Sequence, residues 1–415
     1  MSELRPRAAR SRRAAGIARH GRLRKSNGWL TGFKLLAATL AVVLVSGASV
    51  GAIATWQLTS QIKTEAIGFD KKEGPPPSIG AIEGGFNILI VGSDQCETAP
   101  EDCGARGSAK LNDVNMLLHV SQDQTNATAI SFPRDMVVGI PRCEWGPDWE
   151  REGTKVFSTE PINTALYYGG LACVAMTVEE LTGLDIHFAG LITFGGVVQM
   201  TNAIGGVPVC VNGPVIDKYS GINLPAAGTY ELSGKTALAF LRSRKGVGDG
   251  SDITRISSQQ VYLSSLVRTL KSDETLGDFT KLYGLAQAAS STMVLSEGLR
   301  NPDTMISIAL ALKDIPLERV TFVQYPGTTG GTGVYEGKVK PLERAGEELM
   351  AQIKSDQPFV LEEAGDGRGS EANPDAPTSD ATPGPSASPV DNSGLPVISN
   401  VRGQTAADYT CSIAN

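Results

Sequence analysis

Two acids and a scattered set of arginines, each at the end of an apolar run, are the side chains here best suited to chemistry. Asp94 follows "NILIVGS" and Asp113 precedes "VNMLLHV". Carboxylates at neighbouring strand ends lie where α/β sheets place their ligands. Two of them can hold a hard cation such as Mg2+ or Mn2+, with water and phosphate oxygens completing the octahedron. Taken alone, each Asp more often caps a turn.

The cations lie further along the chain. "ISFPRDMVVGIP" (130–141) breaks an apolar run with Pro133, Arg134 and Asp135, and "LRSRK" supplies Arg242 and Arg244, which share a side if that segment is extended. In "SDITRISSQQ", Arg255 and Gln259 stand four apart on one helical face, with Asp252 a turn before Arg255. A surface arginine is usually only solvated. Guanidinium forks gathered in an acidic domain suit bidentate phosphate contacts instead.

The elements that must position these groups follow from periodicity. Runs at 86–92, 114–121, 127–132, 136–141, 187–194, 207–211 and 318–326 read as strands. Residues 162–183 have helical spacing ending at a glycine, and "GVVQMTNAIGG", "LSGKTALAFLRSR", "SDITRISSQQVYLSSLVRTLK", 276–291 and 303–313 also read as helices. Such alternation implies an α/β sandwich around a central sheet.

The flanks differ from this core. Residues 1–34 carry ten Lys/Arg against one Glu, and residues 35–58 carry no charge. That run is long enough to span a bilayer and longer than the apolar core of a cleaved signal peptide. The positive-inside rule then leaves the basic segment cytoplasmic and the rest outside, a single-pass type II arrangement in the cell membrane. Charged, Pro/Gly-rich residues 59–85 read as a stalk, 86–361 as the extracellular folded domain and 401–415 as a tail. Residues 362–400 are rich in Pro, Ser and Asp, and composition predicts disorder there.

Removing the +9 of the first segment from the total of −7 leaves −16 for the remainder, which excludes a general nucleic-acid footprint. Six cysteines on the exported side (96, 103, 143, 173, 210 and 411) read as disulfides. Cys96 with Cys103 makes a plausible local pair, the other four leave three connectivities open, and Cys411 is placed to pin the tail back. "GTYELSGKT" (228–236) has one residue too many between its glycines for a nucleotide P-loop. His119 and His187 lie in strand-like runs, which argues against a Ser-His-Asp triad.

Taken in order, "NILIVGSD", "NDVNMLLHV", "ISFPRDMVVGIP", "PINTALYYGG", "TVEELTGLDIHFAGLITFGGVVQMTNAIGGVPV", "LSGKTALAFLRSR" and "DITRISSQQ" resemble the LytR-CpsA-Psr family of membrane-anchored cell-wall proteins, over about 86–272. The resemblance implies a three-layer α/β/α sandwich with a central mixed β-sheet and a buried channel for a polyprenyl tail. It also implies a Mg2+-dependent phosphotransferase that moves a glycopolymer from a polyprenyl-pyrophosphate carrier to peptidoglycan. On that pattern Asp94 and Asp113 look like the metal acids, and Arg134, Arg242, Arg244, Arg255 and Gln259 like the pyrophosphate-binding set. Arg134 and Asp252 take catalytic positions, Asp252 as a candidate base, and Asp135 supports Arg134. The chain departs from the pattern at Asn112, Pro161 and Ser258, where the family often has Arg, Lys and Arg; Lys110 and Arg106 are the nearest cations that could stand in for the first. Two alternatives stay open: a lipid-pyrophosphate hydrolase using the same residues with water as acceptor, and, given the missing cations, a non-catalytic wall-binding or regulatory protein.

Overall fold

The computed structural model describes residues 84–94, 110–143, 158–272, 291–300, 302–362, 367–374 and 392–415, with isolated positions between them and scattered residues from 29 to 49. It divides into two units, Met1–Ala54 and Thr55–Asn415. In the first, the described residues are helical, and Phe33, Leu36, Leu40, Val42 and Val45 are all at least 60% exposed. Among the described residues no helix is long and apolar enough to cross a membrane. The span expected over 35–58 and the stalk over 59–85 fall mostly outside the described residues.

The second unit runs β1 (Phe86–Ser93), β2 (Asn112–Val120), β3 (Ala127–Phe132), β4 (Val137–Ile140), β5 (Ser158–Pro161), α1 (Ala165–Thr182), β6 (Phe188–Ile192), α2 (Phe194–Ile204), β7 (Val207–Val211), β8 (Gly228–Leu232), α3 (Gly234–Arg242), α4 (Asp252–Lys271) and β9 (Met293–Leu295). It continues through α5 (Pro302–Lys313), β10 (Val320–Gln324), α6 (Glu343–Lys354), β11 (Ser370–Ala372), β12 (Gly403–Thr405) and β13 (Thr410–Ser412).

Alternation along the strands sorts their side chains onto two faces. Leu89, Val91, Leu117, Ile130 and Val323 pack toward one side with α1 and with Leu349, Met350 and Ile353 of α6. Ile88, Met116, Ala129 and Phe322 point the other way, against Ile308 and Ala311 of α5 and Leu263 and Val267 of α4. Helices therefore cover both faces of the sheet. Leu89, Leu117 and Ile130 are fully buried, each stabilising the fold by about 1.5–3 kcal/mol.

The main sheet has seven strands in the order β9-β6-β1-β2-β3-β10-β12. It is mixed: β1 runs parallel to β6 and β3 parallel to β10, while β2 is antiparallel to both β1 and β3. The carboxyl ends of β1, β3, β6 and β10 consequently share one edge, where β2 begins. A second sheet, in the order β8-β7-β13-β11, packs under α3 and α4. The "GTYELSGKT" stretch forms β8 and the start of α3.

Within 362–400, where composition predicts disorder, the described residues include short paired strands, while 377–391 lie outside the described residues. β11 lies inside 362–400 yet pairs with β13, and Val397–Ile398 pairs with Val360–Leu361. β12 completes the edge of the main sheet against β10. Composition averages over such short strands. Each joins an edge already formed, where ladder hydrogen bonds and a few buried groups such as Val401, Ala406 and Cys411 suffice.

Disulfides join Cys143 to Cys173 and Cys210 to Cys411. The second closes a sequence separation of 201 residues, and constraining so long a loop in the unfolded chain contributes about 5 kcal/mol in the chain-entropy description. Cys96 and Cys103 lie outside the described residues.

Candidate active site at the carboxyl edge of the sheet

The edge is shaped first by a register change. Gly92 pairs with Val114 and Ser93 with Asn112, leaving Asp113 as the extra residue of a bulge. A bulge re-aims the side chain it carries, and Asp94 follows Ser93 directly on the adjacent strand. The two acids expected to share a cation thus stand on neighbouring strand ends.

β3 ends at Phe132, and its continuation makes a tight turn in which the Met136 N–H donates to Pro133 O (2.9 Å). The turn is held from three directions. The Arg134 N–H donates to Asp252 Oδ2 (3.1 Å), the Asn163 N–H donates to Arg134 O (3.1 Å), and the Val339 N–H donates to Asp135 O (3.0 Å). Pro133 has no N–H to lose in a ladder that has already stopped.

The guanidinium of Arg134 donates through Nη1 to Asp113 Oδ1. Its Nε lies 3.6 Å from Asp135 Oδ2 and 3.8 Å from Asp252 Oδ1. Burial alone lowers the pKa of this guanidinium, but Asp113, Asp135 and Asp252 together outweigh burial and raise it.

Asp252 opens α4 behind the N-cap Ser251, whose side chain accepts from the Thr254 N–H (3.3 Å). Its Oδ1 receives Arg255 Nη2 at 2.6 Å and Arg244 Nη2 at 3.0 Å. Asp135 Oδ2 also reaches Arg244 Nη2, at 3.8 Å. Arg255 donates further to Asp113 O (3.1 Å). Asp252 and Arg255 are each only 6% exposed in their side chains. Burial lowers the Arg255 pKa; Asp252 opposes this, and the neighbouring Arg244 and Arg134 add to the lowering.

Three guanidiniums therefore converge on one carboxylate, with Asp113 and Asp135 at the flanks. Buried nitrogens Arg134 Nε and Arg255 Nε have no hydrogen-bond partner. Such orphans cost free energy in a folded core and call for an explanation. Oxygens of an anion entering the cluster would supply one.

Two further expected members make contacts on α3. Arg242 is the last residue of α3, so it does not share an extended segment with Arg244; its guanidinium lies over the Phe194 ring, 4.2 Å from the centroid. Gln259 Nε2 donates to Leu241 O (2.9 Å), satisfying a carbonyl in the last turn of α3. Gln259 thereby ties α4 to α3 just before the loop that carries Arg244.

Asp217, absent from the expected set, anchors that loop. Its Oδ2 accepts the N–H groups of Arg244 and Lys245 (3.0 Å each) and the Ser243 hydroxyl (3.2 Å), while Oδ1 accepts the Tyr219 N–H (2.9 Å). Burial pushes this carboxyl up, but the donors outweigh burial and hold it below the ordinary carboxylate value.

The departures from the family pattern also have local explanations. Buried Asn112 donates to Asn115 Oδ1 (2.6 Å) and Ile162 O (3.0 Å) and accepts the Leu166 N–H (3.0 Å), fastening β2 to the start of α1. Ser258 Oγ meets Ser412 Oγ at 2.7 Å and donates to Gly369 O at 3.3 Å. Both positions are structural joints.

Among the described residues, no group of three or more His, Cys, Asp or Glu is placed to hold a metal ion. Asp94 and Asp113 stand on neighbouring strand ends, and Asp113 Oδ1 is engaged by Arg134 Nη1.

The LytR_cpsA_psr family model matches residues 43–351, and the chain belongs to that family. It is 32% identical to "Cell wall biosynthesis protein LcpA" of Corynebacterium glutamicum over 63% of this chain and 54% of that protein. A second Corynebacterium glutamicum relative, "Probable cell wall biosynthesis protein LcpB", is 30% identical over 55% of this chain and 52% of its own length. The chain thus spans about half the length of these two curated relatives. Bacillus subtilis "Polyisoprenyl-teichoic acid--peptidoglycan teichoic acid transferase TagT" is 23% identical over 81% of this chain and 98% of that protein. Among solved structures, one from Streptococcus agalactiae superposes with a TM-score of 0.53 at 20% identity, covering 66% of this chain and 88% of that one. It shares the mixed α/β fold described above.

Proposed function

We propose that this chain is a membrane-anchored phosphotransferase that moves a glycopolymer from a polyprenyl-pyrophosphate carrier to peptidoglycan through a phosphodiester bond. The observation that carries the reading is the convergence of Arg134, Arg244 and Arg255 on Asp252 at the carboxyl edge of the sheet, with two buried guanidinium nitrogens making no hydrogen bond. Family membership and similarity to relatives such as the teichoic acid transferase TagT support it.

On this reading a sugar hydroxyl of peptidoglycan attacks the phosphorus attached to the glycopolymer. The bond from that phosphorus to the bridging oxygen breaks, and polyprenyl phosphate leaves. Phosphoryl transfer asks mainly for positioning and charge neutralisation. Arg134 and Arg255 face the phosphate oxygens with donors already in place, and Arg244 closes the cluster from the loop. Asp252 has both oxygens committed to N–H donors and so first orients the arginines. Once phosphate oxygens draw those donors away, it can accept the proton of the attacking hydroxyl. Asp135 keeps Arg134 and Arg244 facing each other. Asp94 and Asp113 would hold Mg2+ or Mn2+, which supplies further neutralisation of the pyrophosphate.

The membrane anchor in this reading is the uncharged stretch 35–58 behind the basic N-terminal residues, which places the second unit outside the cell. The exposed apolar side chains of the first unit suit lipid contact.

Product analysis with a lipid-pyrophosphate-linked oligosaccharide and peptidoglycan tests the proposal. A phosphodiester-linked glycan on peptidoglycan is expected. Free sugar phosphate as the main product would identify a hydrolase, and tight binding without turnover a non-catalytic binder.

A further inference from the structure

We infer that the segment Ile413–Asn415, with Arg368 and Gly369 beside it, is part of the active-site scaffold and positions the loop that presents Arg244. The inference rests on the anion-site reading above, and it concerns residues beyond the 43–351 covered by the family model.

The loop from Ser243 to Ser251 joins α3 to α4 and carries Arg244 at one end and the N-cap of the Asp252 helix at the other. Asp217 holds its start. Its far half is held by the tail. The Gly248 N–H donates to Ile413 O (2.9 Å), Val247 and Ala414 form an antiparallel bridge, and the Asn415 N–H donates to Gly246 O (3.2 Å). Asn415 Nδ2 donates to Lys245 O (3.1 Å), one residue from Arg244.

Behind the loop, Arg368 and Gly369 lie against the first turn of α4. A Cβ on Gly369 would meet Thr254 O at 2.4 Å, and one on Gly248, at φ +50°, would meet Arg368 O at 2.7 Å. Such approaches leave the loop and helix no space to drift toward the tail. Ser412 reaches Ser258 on α4, and Cys411 is fixed to Cys210 of β7. The tail thus touches both elements that must agree for Arg244 Nη2 and Arg255 Nη2 to meet the same Asp252 oxygen. In sites of this kind a misplacement of about 1 Å costs on the order of 10²-fold.

The test deletes Ile413, Ala414 and Asn415 from the full chain, leaving the disulfide and the Ser258–Ser412 contact intact, beside the milder Asn415→Ala. Amide exchange is read at Gly248 and across 244–250, and inorganic pyrophosphate binding is read by calorimetry. We expect faster exchange in the loop, unchanged protection in α1, and pyrophosphate binding weakened about tenfold or more by the deletion. In an Arg244→Ala background the deletion should add less than about twofold, because both changes act through one guanidinium. Unchanged loop exchange in the folded deletion variant, or binding losses that multiply with Arg244→Ala, would overturn the inference. If wild-type protein binds no pyrophosphate, the anion-site reading fails, and loop exchange alone decides whether the tail positions the loop. Asn415→Ala, which removes the side-chain bond to Lys245 O and keeps the backbone bond to Gly246 O, should shift the loop in the same direction by a smaller amount.

Discussion

Strands β1 and β2 carry buried polar groups at both ends, and the two ends satisfy them differently. At the far end, His119 Nδ1 meets Asn87 Oδ1 (2.8 Å), His119 Nε2 meets Asp356 Oδ1 (3.1 Å), the Asn87 N–H donates to His187 Nδ1 (3.1 Å), and Asn87 Nδ2 donates to Asp185 O (2.7 Å). These bonds tie the sheet to the ends of α1 and α6. At the site end, formal charges crowd together: Arg134, Arg244 and Arg255 against Asp113, Asp135 and Asp252. Two of the guanidinium nitrogens remain without hydrogen bonds. One end is arranged for the folded state alone. The other keeps donors in reserve, which is the expected mark of a ligand site.

The largest effect should come from removing the carboxylate on which the cations converge. Asp252→Ala leaves Arg255 buried without its ion-pair partner, and breaking a buried pair in this way costs about 3–5 kcal/mol. Urea denaturation should report that loss, together with abolished transfer. Wild-type stability in this variant would mean that the site end is no more strained than the histidine end.

Next come the residues that should matter mainly to chemistry. Arg134→Ala and Asp94→Ala are each expected to lower turnover by about 10²–10³-fold, the loss typical of removing one preorganised charge-stabilising group. Undiminished turnover in both would sink the assignment of the site. A smaller effect is expected from Asp217→Asn, which weakens the carboxylate's hold on the Arg244 and Lys245 amides. Buried donors left poorly satisfied cost about 1–3 kcal/mol, and the Km for the pyrophosphate donor should rise more than kcat falls.

The contrast between the two ends was partly legible from sequence. Strand alternation located β1, β2 and β3, and Pro133-Arg134-Asp135 stood out because no apolar strand needs it. Asp217 did not stand out. "VIDKYSGIN" reads as an Asp making a local turn, and its Oδ1 does that with Tyr219; the reach of Oδ2 to a loop 27 residues away leaves no local trace. The bulge at Asp113 is invisible for a similar reason, since register belongs to a pair of strands. An extended "RSR" would have put Arg242 beside Arg244, but helix α3 runs through Arg242, and a helix end is set by packing that the three residues do not record. The pinning of the tail through Cys411 was legible and its disulfide to Cys210 is present, but the short strands on either side of it escaped because strands completing existing edges need little apolar composition.

The smallest effect is a pH dependence confined to the far end. His187 Nδ1 accepts the Asn87 N–H, so that ring must stay neutral to keep the bond. Burial lowers the pKa of both histidines, with Asp356 partly opposing it at His119 and Asp185 and Glu179 at His187. A histidine whose folded pKa lies below its unfolded value near 6.5 is protonated first in the unfolded chain. The unfolded state then binds more protons, so the contribution is complete above about pH 6.5 and shrinks as pH falls below it. Denaturation midpoints should therefore decline on acidification through this window, and His187→Gln should flatten the slope while leaving pyrophosphate binding at neutral pH as in the wild type. A slope that survives His187→Gln and His119→Gln together would assign the acid sensitivity to the arginine–carboxylate end and erase the distinction between the two ends.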